Sequence, residues 1–389
     1  MSISELDLLI ATRRDLHRHP EVGFEERRTA RIVAERLSAA GYEVETGVAV
    51  TGVVGTLGGG RGTGATLLLR ADMDALPVAE DTNHTFPSLN PGRMHACGHD
   101  AHVAIGLAVA ERLAGRRGEL HGEVRYVFQP AEEGMGGARR MIEAGVLDGV
   151  DAALGLHVWS PLPSGVVGVV DGPQMAGSQE FSITVTGRGG HAALPHETVD
   201  SVYVASQIVV ALQSVVSRNV PPLEGAVVTI GAFHAGMASN VIAESALLHG
   251  TIRAFAADVT DLVRARVTEV ANGVAQSLGA RATVDFKELL FPPTSNAPEL
   301  AQLVRDVAAG VVGAQRVRSD ADIRTMAAED FSEFSTRVPG CYFFLGVRNE
   351  QIGAVHPHHS PHFDICEEAL PIGVEVLERS AVAYLNRQP

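Results

Sequence analysis

A chain of 389 residues is longer than one hydrophobic core normally serves, which implies about two domains and excludes a lone binding module. Hydrophobic residues at 46%, charged residues at 20% and 41 glycines describe a globular α/β composition without a low-complexity tract. Thirty-one basic against 46 acidic side chains leave a formal charge of −15, the wrong sign for gripping phosphates or anionic lipid, so neither nucleic acid nor a membrane is an expected partner.

The N-terminal stretch predicts two amphipathic helices, the second over EERRTARIVAERLSAA with Gly41 as its left-handed cap. Glu5 and Asp7 stand where a secretory leader is basic, and no 18-residue uncharged apolar run occurs. With Cys97, Cys341 and Cys366 as an odd, sparse set, this predicts a cytoplasmic chain without a disulfide framework. LGGGRGTGAT reads as a hairpin turn between two strands. TLLLRAD, EVRYVFQP and DAALGLHVW are apolar runs of strand length separated by the helices AHVAIGLAVAERLAG and GARRMIEAG. That alternation predicts an α/β fold: a mainly parallel sheet with helices on both faces.

Near residue 179 the texture changes. EFSITVTG alternates polar and apolar, and is followed by the helix SVYVASQIVVALQSVV, the strands VVTIGAF and ALLHGTIRAF, a second helix and the strand RATVDFKELL. This order predicts a small open α+β sheet. After PPTSNAP the first texture resumes with a helix, CYFFLGV and EEALPIGVEVLERSAVAYL. The expected organisation is one domain of residues 1–178 and 291–389, interrupted by an inserted α+β domain of residues 179–290.

Lys287 is the only lysine and lies in a strand-like stretch, which argues against a phosphate loop and a Schiff-base cofactor. Neither G-x-S-x-G nor G-x-G-x-x-G occurs. Chemistry-bearing residues instead gather at strand ends, where open α/β sheets place their sites. MHACGHDAHVA offers Cys97 and His99 as transition-metal donors, with Asp100 placed to cap the next helix; alone, the pair also admits an incidental reading. FQPAEEG ends a strand at Glu132-Glu133, whose side chains would diverge along extended backbone, one toward a cation and the other toward substrate; a solvated acidic turn is the rival reading. His157 in the apolar strand GLHVW and the cluster His356, His358, His359 and His362 in HPHHSPHFD supply imidazoles. One cysteine, three or more histidines and a glutamate pair, each at a strand end, make up the donors of a two-metal site.

Asp72 and Asp74 in RADMDALPV follow a buried strand, where one of them could orient a ligating histidine or cap a turn. Within the inserted segment, GRGGHAALPH carries His191 in a glycine-rich turn. Asn240 and Arg253 in ASNVIAESALLHGTIRAF are a neutral donor and a guanidinium able to grip a carboxylate, although an arginine on a strand is also an ordinary surface residue.

Taken in order, DLHRHPEVGFEE, RADMDALPV, MHACGHDAHVA, FQPAEEG, GLHVW, GRGGHAALPH, NVIAESALLHGTIR, AAEDFSEF and HSPHFD resemble the zinc- or manganese-dependent amidohydrolases that include hippurate hydrolase, bacterial N-acyl-amino-acid aminoacylases and plant indole-acetyl-amino-acid hydrolases. The resemblance covers nearly the whole chain. It implies Cys97, His99, Glu133, His157 and His359 as ligands of two divalent ions (Zn, Mn, Co or Ni), Glu132 as general base and Asp74 as support for the cluster. It further implies His191 as the group that stabilises the tetrahedral intermediate, Asn240 and Arg253 as contacts to the substrate carboxylate, and the inserted domain as lid and homodimer interface whose histidine can serve the neighbouring subunit. The family's Asn-Val-Ile-Pro is Asn240-Val241-Ile242-Ala243 here, and its glycine before Ala-Glu-Asp-Phe is Ala327. His359 rather than His358 is assigned as the last ligand because Ser-Pro follows it.

The implied reaction is hydrolysis of the amide of a small N-acyl amino acid. The alternative is a dipeptidase or carboxypeptidase using the same site, since the chemistry does not distinguish the two amides. A non-catalytic metal-binding protein would need neither Glu132 nor His191.

Overall fold

In a computed structural model, which describes residues 1–288 and 291–387, the chain divides into two compact units. One comprises Met1–Gln174, Thr294–Arg324 and Asp330–Pro389; the other comprises Met175–Pro293 and Thr325–Glu329. Leu289 and Leu290, where the predicted strand RATVDFKELL and the inserted domain end, lie outside the described residues, as do Gln388 and Pro389.

The larger unit is built on an eight-stranded sheet in the order Glu43–Val48, Gly52–Gly58, Glu123–Gln129, Thr66–Asp72, Ala152–Pro163, Gly340–Arg348, Val167–Gly168, Val317–Arg318. Its four central strands, from Glu123–Gln129 to Gly340–Arg348, run parallel to one another, and antiparallel pairings flank them. Two-residue alternation sorts the side chains. Leu67, Leu69 and Ala71 of one strand and Val124, Tyr126 and Phe128 of the next join a core with residues of helices Ile3–Arg18, Arg27–Ala39, His99–Gly115, Pro298–Val312 and Leu370–Leu385. Arg70, Asp72 and Gln129 therefore turn to the opposite face, where the short helices Gly137–Glu143 and Ser332–Ser335 lie.

LGGGRGTGAT is not a hairpin. The strands it joins do not pair; each pairs with Glu123–Gln129, one antiparallel and one parallel, so that strand fills the gap between them. The glycines serve close backbone approach instead. Gly59 N–H donates to Gly122 O at 2.7 Å, and a Cβ at Gly59 would stand 2.3 Å from Leu120 O. Gly41, at φ 87°, ends the second helix as expected.

The smaller unit carries a four-stranded antiparallel sheet in the order Ala226–Ala235, Ser245–Ala254, Gly177–Thr186, Arg281–Phe286. Helices Ser201–Asn219 and Ala257–Ser277 cover one face, where Phe181, Ile183 and Val185 meet Val204, Ile208, Val263 and Val267. Among the described residues, no helix is long and apolar enough to cross a membrane.

Candidate metal centre

The parallel strands deliver their functional residues at one end of the sheet. Beyond Gln129 the chain does not stay extended: Ala131 adopts φ 53°, and Glu132 and Glu133 lie in a turn closed by Gly134 N–H donating to Glu132 O at 2.6 Å. The expected divergence of the two carboxylates is therefore corrected. An oxygen of each lies with a His99 nitrogen in a group whose members are all within 4.8 Å of one another. The turn is held by Glu26, a residue the sequence did not flag. Its buried carboxylate accepts the Ala131 N–H at 2.9 Å and the Thr51 hydroxyl at 2.5 Å. Burial pushes the Glu26 carboxyl up to about 7, against the opposing pull of those bonds.

Three overlapping sets of donors surround this turn, each with its atoms within 4.8 Å: Cys97, His99 and His157; Cys97, Glu133 and His359; His99, Glu132 and Glu133. The imidazoles are oriented from behind. His99 Nδ1 lies 2.8 Å from Asp74 O and His157 Nδ1 lies 2.6 Å from Val158 O, so each Nδ1–H donates to a carbonyl and each Nε2 faces the centre. Asp74 also accepts the Glu133 N–H at 3.0 Å, joining two segments that carry potential metal donors. His99 Nε2, Glu133 Oε1 and Asp74 Oδ1 are buried without hydrogen-bond partners. Glu133 Oε1 is only 3.2 Å from His359 Nε2, close in distance but off the hydrogen-bonding direction.

These distances fit cations. Two ligands on one tetrahedral ion, with bonds near 2.3 Å to sulfur and 2.1 Å to nitrogen, stand about 3.6 Å apart; Cys97 Sγ and His157 Nε2 are 3.5 Å apart. The electrostatics agree. Burial alone would depress His99, yet Asp72 and Asp74 raise it to about 10, so the pocket attracts positive charge. Burial holds His157 well below its ordinary value, leaving a neutral imidazole of the kind a metal binds.

His358 and His359 separate cleanly. His358 donates Nε2–H to Val158 O at 2.9 Å and its Nδ1 stands 3.2 Å from Ser160 Oγ, with burial lowering it to about 4. Its nitrogens are committed. His359 reaches the centre through a left-handed backbone at φ 65°, its N–H donating to Ala96 O at 2.8 Å.

Asp100 does not cap the following helix from outside it. Gly98 is the N-cap, and Asp100 lies in the first turn, paired with Arg13 at 2.9 Å and His17 at 2.8 Å. His102, one turn on, donates Nδ1–H to Asp72 and accepts the Val158 N–H at Nε2, 2.9 Å away, so it pins the strand carrying His157 rather than offering a lone pair. Asp72 is in turn held by Arg70, which also reaches Asp330 at 2.8 Å, Gln129 at 2.9 Å and the Tyr342 hydroxyl at 3.1 Å. Burial disfavours the Asp72 anion, but Arg70 beside it keeps the carboxyl well below its usual range.

His191, Asn240 and Arg253 belong to the smaller unit. His191 pairs with Val241 across a two-residue ladder, and Ala192 N–H donates to Asn240 O at 3.1 Å, so His191 and Asn240 are neighbours. Ala193 N–H donates to His191 Nδ1 at 3.1 Å, which leaves Nε2–H pointing outward as a donor. Arg253 pairs with Ser178 at the other end of the strand from Ser245, which pairs with Thr186 close to the His191 turn. At the rise of a β-strand, that separation is about 27 Å. One chain therefore does not bring Asn240 and Arg253 to the same carboxylate.

The arrangement gathers the donors of a metal centre, and comparison with known proteins gives its family. The model of Peptidase family M20/M25/M40 matches residues 68–383. Thermostable carboxypeptidase 1 of Saccharolobus solfataricus is 40% identical over 98% of this chain and 96% of its own length. IAA-amino acid hydrolase ILR1-like 4 of Arabidopsis thaliana is 41% identical over 97% of this chain and 86% of its own. The crystal structure of the Bacillus subtilis YXEP protein, a dinuclear metal-binding peptidase of the same family, superposes with a TM-score of 0.86 at 34% identity and covers 99% of both chains. The chain belongs to Peptidase family M20/M25/M40 and is a metal-dependent amidohydrolase.

Proposed function

We propose that this enzyme hydrolyses the amide bond of small N-acyl amino acids, releasing a carboxylic acid and a free amino acid. The observation that carries the reading is the meeting of Cys97, His99, Glu133, His157 and His359 around a turn that also presents Glu132. The five ligating side chains would hold two divalent ions, Zn, Mn, Co or Ni, which supply Lewis acidity toward water and an amide carbonyl when bound.

The chain's own residues do the rest. Glu132, among the ligands but assigned to none, takes the proton of the attacking water and returns it to the leaving nitrogen. Asp74 fixes His99 and the Glu133 backbone. His191, through its outward Nε2–H, donates to the developing oxyanion, an interaction worth about 3 kcal/mol in comparable sites. Arg253 and Asn240 are assigned to the substrate carboxylate. Their separation within one chain supports a homodimer formed through the inserted domain, in which the His191 and Asn240 end of one lid serves the neighbouring subunit. Buried thiols at Cys341 and Cys366 support a reducing, cytoplasmic setting.

The 40% identity to a carboxypeptidase favours one second reading, exopeptidase action through the same centre. A panel of hippurate, N-acetyl amino acids, indole-acetyl conjugates and free-amine dipeptides, run after reconstitution with defined metals, separates the two. Faster turnover of acyl conjugates is expected; faster turnover of dipeptides would replace the first reading with the second.

A further inference from the structure

A second set of metal donors stands apart from the Cys97 centre in the larger unit. His17 projects from helix Ile3–Arg18, while Glu80 and His84 lie in the loop between the Thr66–Asp72 strand and the His99–Gly115 helix; one donor atom of each lies within 4.8 Å of the others. We propose that His17, Glu80 and His84 form a separate binding site for a divalent transition-metal ion. This site does not depend on the reading of the enzyme as an N-acyl-amino-acid hydrolase.

The geometry has the marks of a ligand set. His17 Nδ1 is 2.8 Å from Asp100 Oδ2, the carboxylate–histidine pairing that fixes the tautomer of a ligating imidazole, and it turns Nε2 toward Glu80. The His17 Nε2 to Glu80 Oε1 distance is 3.4 Å. The contact is a long hydrogen bond, and its length also matches the roughly 3.4 Å between two ligands held at about 2.1 Å on one tetrahedral ion. The Thr82 hydroxyl and the Ser88 N–H, at 2.6 Å, donate to the Glu80 carboxylate and hold it in place. His84 stacks on Phe86 with centroids 4.6 Å apart, which fixes the ring plane. Its Nε2 is buried without a hydrogen-bond partner, although Asp364 Oδ1 is 3.4 Å away, so that carboxylate is within reach as a further ligand.

Charge favours the same occupant. Asp100, Asp364 and Glu367 pair with Arg13 and Arg14, and Glu80 pairs with His17, so four carboxylates meet two guanidiniums and one imidazole. Burial opposes a charge on His17, but its bonds to Asp100 and Glu80 raise it above its ordinary value, so a bound metal ion would take the place of that proton. Burial keeps His84 below its ordinary value and so preserves its lone pair. Two imidazoles with one or two carboxylates suit Zn, Co, Ni or Mn, and the absence of sulfur from the set distinguishes it from the centre that contains Cys97. Such an ion would tie the first helix to the 80–84 loop and, through Asp100, to the helix that begins at His99.

Cobalt(II) reconstitution of the full-length protein tests this, because sulfur ligation gives a near-ultraviolet charge-transfer band that nitrogen and oxygen ligands lack. In the parent, the sulfur band should saturate and one further Co per chain should then bind with visible d–d absorption only. His84→Ala should hold one Co per chain fewer than the parent while keeping the sulfur band, and Cys97→Ser should lose the band yet retain the extra ion. Equal metal content in parent and His84→Ala overturns the proposal, as does loss of the extra ion in Cys97→Ser. Should His84→Ala fail to fold, Glu80→Gln and the titration of the parent decide it: no cobalt bound beyond saturation of the sulfur band rejects the site. Failure of the sulfur band to appear at all would count against the Cys97 centre instead.

Discussion

Glu26 shows how a residue far along the chain from the metal donors sets the turn that carries two of them. Its carboxylate accepts the N–H of Ala131, whose positive φ turns the chain so that Glu132 and Glu133 come together. With a carboxyl near 7 in the folded chain against 4.5 when unfolded, the folded state keeps a proton between those values that the unfolded state has lost. Stability therefore falls as pH rises through that window. Glu26→Gln, which keeps the hydrogen-bonding oxygen without the charge, should flatten this decline. Melting temperatures of parent and variant at pH 5 and pH 7.5 measure it, and a difference between them that does not change with pH would contradict the assignment. His358 and His359 teach the complementary lesson: adjacent imidazoles acquire different roles because one has both nitrogens committed and the other has Nε2 facing Glu133.

At the scale of elements, the strand ends are registered by a buried polar network on the face opposite the helical layer. Arg70 spans Asp72, Gln129 and Asp330, and Asp330 also accepts the Ala138 N–H at 3.0 Å, which anchors the helix after the Glu132 turn. Arg70→Met would leave Asp72 and Asp330 buried without their cation. Breaking such a pair costs about 3–5 kcal/mol, which urea unfolding would register; a loss below about 1 kcal/mol would mean the carboxylates find other compensation. The strands themselves were legible, because TLLLRAD, EVRYVFQP and CYFFLGV are apolar runs bounded by turn residues, and so were the donor types at their ends. The order of strands was not. Nothing local in LGGGRGTGAT reports that a third strand lies between the two it joins. Glu26, His102 and Asp330 were equally silent, since each gains its role from a partner far along the chain.

For the whole molecule, the roughly 27 Å of strand between Ser245 and Arg253 is the decisive length. If His191 serves the neighbouring subunit, a chain with His191→Ala and a chain with Glu132→Gln, each inactive alone, should complement when unfolded and refolded together. Random pairing makes half of the dimers mixed, each with one intact site, so activity should return to about a quarter of the parent's. No recovery, with mixed dimers demonstrated by differential tagging, would place His191 at the site of its own chain.

The claim on which the account rests is that the convergent ligands hold metal while Glu132 moves the proton. Glu132→Gln, reconstituted beside the parent with the same metal, tests it by metal content and by turnover of N-acyl amino acids. Unchanged metal content with kcat lowered by about two to four orders of magnitude is the predicted result. Activity within a few fold of the parent, or a fully metallated parent inert toward every acylated amino acid, would contradict it.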